Sequence, residues 1–71
     1  MDEKKIIYEI IISIWGIVKE YFFHKMSDDE IEDMCKKASS EAERFKQHGK
    51  KYNLLFRRIW SAFVQYYEGD E

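Results

Sequence analysis

Residues 6–23 read IIYEIIISIWGIVKEYFF, and only Glu9, Ser13, Gly16, Lys19 and Glu20 interrupt an otherwise apolar run. No other stretch constrains the fold as strongly. A continuous apolar run suits a buried strand or a buried helix equally well, and its β-branched isoleucines would fit a strand. Length and spacing decide for helix. The run exceeds a single strand, and its polar stripe at 5, 9, 13, 16 and 20 follows one line of a helix. Projected at about 100° per residue, Ile6, Ile17, Ile10, Tyr21, Ile14, Ile7, Val18, Ile11, Phe22, Trp15 and Tyr8 fill a continuous arc of about 200°. Ile12 and Phe23 fall among the polar residues on the opposite side.

The remaining chain predicts two further helices. Ser27 followed by Glu30 has the spacing of a capping box, and Asp28, Asp29 and Glu30 complement the positive end of a helix dipole. Ile31, Cys35, Ala38, Ala42 and Phe45, with Met34, form an apolar stripe only about 100° wide. In the third helix Tyr52, Leu55, Phe56, Ile59, Trp60, Ala62, Phe63, Tyr66 and Tyr67 span about 160°, with Leu54 and Val64 on the polar side. Gly49 and Gly69 suit the left-handed positions that end the second and third helices. Proline is absent and glycine scarce, which favours a few long helices over many short strands. The expected fold is an all-α three-helix bundle, with helices at about 3–25, 28–47 and 51–68 in one domain spanning 1–71.

The three arcs do not match. A narrow second stripe and a third helix cannot cover 200° of apolar surface on the first. The bundle is expected to leave one edge bare, at Tyr8, Ile11, Trp15 and Phe22. A chain of this size buries only roughly 60% of the surface its unfolded form exposes, and an exposed aromatic edge usually marks an interface. The expected function is therefore a non-enzymatic interaction module, homodimeric through the first helix, because two-fold dimers are the commonest oligomers.

Charge is segregated along the chain. The net charge is −2, but residues 27–43 carry seven acids against Lys36 and Lys37, and residues 44–67 carry six bases and no acid. Arg44, Lys46, Lys50, Lys51, Arg57 and Arg58 thus form a candidate contact for an acidic protein or for nucleic-acid phosphates. Tyr52 and His48 would then be available to stack on a base, and a helix–turn–helix arrangement would present Lys50, Asn53, Arg57 and Ser61 outward. Against nucleic acid stands the acidic overall balance. Asp2 and Glu3 are expected near the same pole, where they would offset some of the basic charge.

Other chemistries find no support in the residues. Glu20 and His24 share a helical face, but no third ligand accompanies them, so no metal or cofactor is expected. Cys35 lies on the apolar stripe and is expected to be a buried small hydrophobe. The serines have no His–carboxylate pair at recognisable spacing, no glycine-rich phosphate loop occurs, and neither an enzyme activity nor a small-molecule substrate is expected. Glu9, Lys19 and Glu20 interrupt the run before the about 20 apolar residues of a membrane span. Lack of a cleavage site after the run and a single cysteine fit a cytoplasmic protein.

The short, proline-free composition, rich in Lys, Ile, Tyr and Glu, resembles that of accessory proteins carried by phages and plasmids of AT-rich bacteria. The likeness is one of composition and rests on no motif. It implies a small protein that binds and inhibits or regulates a host protein.

Overall fold

The first two helices begin where the sequence supplies a cap. The computed structural model describes residues 2–69. Asp2 precedes α1 (Glu3–Tyr21), and its Oδ1 accepts the Lys4 backbone N–H at 3.1 Å. Ser27 precedes α2 (Asp28–Lys46), where both bonds of the capping box form: Glu30 N–H to Ser27 Oγ at 3.2 Å and Ser27 N–H to Glu30 Oε1 at 3.0 Å. Two of the orphan donors at the helix start are thereby satisfied. Between α2 and α3 (Lys50–Gly69), Gly49 adopts φ 137°, a conformation that side-chain-bearing residues rarely enter. α3 continues through Gly69 rather than stopping before it.

α1 ends at Tyr21, four residues before the boundary expected from the sequence. The helical path runs on through the C-cap Phe22, whose N–H donates to the Val18 carbonyl at 2.8 Å, and breaks after it. Phe22 folds inward, with its ring centroid 5.6 Å from Trp60 and 4.9 Å from Tyr67. His24 is carried into the turn, where its Nε2 lies 3.0 Å from Glu30 Oε2. The chain reverses over 22–27 with the Glu30 carboxylate serving both the cap and the turn.

The three helices form a bundle in which every pair is in contact. Ile6, Ile10, Ile14, Ile17 and Val18 of α1 meet Met34, Ala38, Ala42 and Phe45 of α2 and Tyr52 and Phe56 of α3. Ala38 and Ala42 give α2 a low surface at its centre, and the fully buried rings of Phe45 and Phe56 stack at 5.9 Å. The radius of gyration is 12.5 Å with extents of 38 × 24 × 17 Å, against about 11 Å for a rounder chain of this length. The bundle is long and thin, so a large share of each helix faces outward.

Three expectations about side-chain placement are overturned. Cys35 is exposed, because α2 rotates to turn the 34–38–42–45 line inward and leaves Cys35 and Ile31 on its flank. Val64, expected on the polar side, packs against the core, whereas Leu54 is exposed as expected. Asn53, expected to face outward, is buried: its Nδ2 donates to the Ala42 carbonyl at 2.8 Å, and its Oδ1 accepts from Arg57 Nε at 3.1 Å.

Candidate protein interface

α1 has two apolar faces. One is the core line described above. The other lies on its outward side, where Tyr8 is 63% exposed, Ile11 51%, Ile12 48% and Trp15 48%; beyond the helix end, Phe23 is 70% exposed. Tyr8, Ile12 and Trp15 repeat at intervals of four and three, which sets them along one line of the helix. Trp15 and Phe23 meet edge to face at 6.3 Å. Taking about 200 Å² for a large aromatic or aliphatic side chain, these five residues leave about 560 Å² of apolar surface in water. That is at the upper end of the patches found on soluble monomers, about 300–600 Å².

Three of the four residues expected on the bare edge are on it: Tyr8, Ile11 and Trp15. Phe22 is not. It is 8% exposed and belongs to the core, because it lies one helical turn beyond buried Val18 and packs its ring against Trp60 and Tyr67 of α3. Ile12 and Phe23 take part instead, although projection set them on the polar side. The seven-residue interval from Tyr8 to Trp15, with Ile12 between them, is the signal that would have grouped Ile12 with the edge.

The apolar surface extends towards α3. A groove of about 650 Å³ runs between the helices, lined by Trp15, Val18, Phe22, Phe23, Phe63, Tyr66 and Tyr67. It adjoins a second hollow along α3 at Arg58, Ile59 and Ala62, with Phe63 and Tyr66 common to both. The polar boundary of the face is different on each side. Towards α2, Glu20 holds Lys37 at 3.0 Å, and Glu41 accepts from Ser13 at 2.8 Å and from Arg44 at 2.8 and 3.1 Å. Glu9 and Lys19, which flank the exposed residues, make no ion pair among the described residues. Gly16 lies beside them, and a methyl group added there would meet nothing within 4 Å.

The basic segment is divided by the fold. Lys51 donates to Glu3 at 3.1 Å, Arg44 to Glu41 at 2.8 Å, and Arg57 lies 3.6 Å from Glu43. The hydrogen bond and charge of Lys51 hold the Glu3 carboxyl below its ordinary value, and Glu3 in turn raises the Lys51 ammonium. The expected placement of Glu3 at this pole is what the structure shows, and it relieves the mismatch of a lysine at the N-terminus of α3. Lys46, Lys50 and Arg58 make no ion pair among the described residues. Tyr52 is buried, with its hydroxyl 3.4 Å from Glu3, so its ring is closed to a base. Asn53 is equally committed to α2.

No group of three or more His, Cys, Asp or Glu among the described residues is arranged to hold a metal. Glu20 and His24 are engaged separately, with Lys37 and Glu30. No described helix is long and apolar enough to cross a membrane. The chain matches no protein-family model, no curated protein and no solved structure.

Proposed function

We propose that the protein is a non-enzymatic helical interaction module that self-associates into a homodimer through the outward face of α1. The observation that carries this reading is the line of Tyr8, Ile11, Ile12 and Trp15, about half exposed on a helix whose other side already fills the core. Two copies covering this face would remove about 1,100 Å² from water, above the about 1,000 Å² that a specific interface needs. Aromatic residues dominate the energetics of such contacts, and Trp15 is the anchor because its ring joins the α1 line to the groove beside α3.

Solution mass tests the reading. The wild-type chain is expected at twice its monomer mass by light scattering at micromolar concentration. Trp15→Glu is expected to give the monomer mass with unchanged helical circular dichroism, since half of the replaced side chain already faces solvent. A monomeric wild type, or a Trp15→Glu variant that remains dimeric, contradicts self-association through this face. A monomer that binds one host protein stoichiometrically, and loses it on the same substitution, would assign the surface to the regulator role implied by composition.

A further inference from the structure

No packing inside its own protomer requires a glycine at position 16. Gly16 lies in the middle of α1, does not have positive φ, and faces open space where a side chain would fit. A glycine there weakens the helix relative to alanine. The hollow beside it is bounded by Ile12, Ser13 and Ile17 of α1 and, on its α2 side, by Lys37 and Glu41. One turn earlier, Ile12 stands half exposed with nothing to fill. Glu9 and Lys19, one acid and one base, lie on either side without ion partners among the described residues.

We infer that a second copy of this chain packs its α1 antiparallel to the first, with the two-fold axis at the level of Ile14, seating each Ile12 over the partner's Gly16 and setting each Glu9 beside the partner's Lys19. The inference rests on the self-association proposed above and adds its orientation and register. Two unrelated properties require that register. The size match of Ile12 with Gly16 and the charge match of Glu9 with Lys19 are both centred on residue 14. A parallel pair would bring like charges to one level and separate Glu9 from the partner's Lys19 by about 15 Å of helix rise. The absent side chain at Gly16 permits close approach of the two axes, whose separation is set by the side chains at the contact. The same register carries the partner's Tyr8 towards the Trp15–Phe23 pair, where the exposed aromatic surface is largest.

Charge exchange distinguishes the register from self-association as such. Dimer dissociation constants would be measured at low salt by sedimentation equilibrium for the wild type, Glu9→Lys, Lys19→Glu, the double exchange and Gly16→Leu, with helicity monitored throughout. Each single reversal turns two symmetry-related attractions into repulsions and is expected to weaken the dimer on the order of tenfold. The double exchange is expected to restore it to within about twofold. Gly16→Leu fills the hollow and is expected to weaken the dimer more than either reversal while helicity is kept. A double exchange as weak as its singles, or a Gly16→Leu protein that dimerises like the wild type, overturns the register and leaves self-association standing. A wild type that is monomeric at every concentration overturns both.

Discussion

Single residues decide where this chain turns. Gly49 is the clearest case, because φ 137° disfavours any side chain, although an added methyl would meet the Tyr52 ring only in ordinary contact at 3.5 Å. Gly49→Ala is expected to lower stability by at least about 1 kcal/mol, read as a lower urea midpoint at unchanged slope; an unchanged midpoint would show that the turn relaxes freely. The positive φ of Gly49 was legible in the sequence, since a glycine between two amphipathic segments ordinarily takes such a conformation, but its place was not: the C-cap of α2 is Gln47, and Gly49 stands two residues further on, directly before α3. Asn53 and Phe22 were not legible either. An asparagine on a helix is ordinarily solvated, and only the approach of the Ala42 carbonyl gives this one a buried partner. Projection sets Phe22 beside the exposed edge, and only the rings of Trp60 and Tyr67 on α3 cover it, a contact that one helix taken alone does not show.

At the scale of elements, helix starts are held by carboxylates, which makes them sensitive to acid. Glu30 is held below its ordinary value of 4.5, first by the Ser27 backbone N–H and then by His24. Glu3 is lowered by Lys51. For Glu41, partial burial pushes the carboxyl up, but hydrogen bonds from Arg44 and Ser13, with the Arg44 charge, outweigh it and the net direction is down. In all three the unfolded chain binds the proton more readily. Their contribution to stability is therefore complete above 4.5 and is lost as pH falls through the lower folded values. The thermal midpoint is expected to be flat from about pH 7 to about pH 5 and to fall below about pH 4.5; a midpoint unchanged at about pH 3 would remove these carboxylates from the account. The elements themselves were legible, since caps and periodicity are local properties. The rotation of α2 was not, because a 100° stripe can turn by a fraction of a residue and still bury enough, keeping Met34, Ala38, Ala42 and Phe45 in the core while Cys35 and Ile31 move to the flank.

For the whole molecule, the governing fact is a thin bundle with one helix apolar on both sides. Sequence comparison of the three arcs located the excess on the first helix, because coverage is a matter of area and area can be summed from residue types. It did not give the membership of Ile12 and Phe23, since which face turns outward depends on how α3 leans across α1. If two copies cover that face, association and folding are linked, and the midpoint depends on concentration. Dilution from about 100 μM to about 1 μM is expected to lower the thermal midpoint by several degrees; a midpoint independent of concentration would separate folding from assembly. The short spans 22–27 and 47–49 have a kinetic consequence. Each helix can dock on its sequence neighbour by closing a small loop, which favours a nearly direct descent to the native bundle. With no proline to isomerise, the slowest step for a newly made chain, if two copies cover the outward face of α1, is then the diffusive search of one protomer for another.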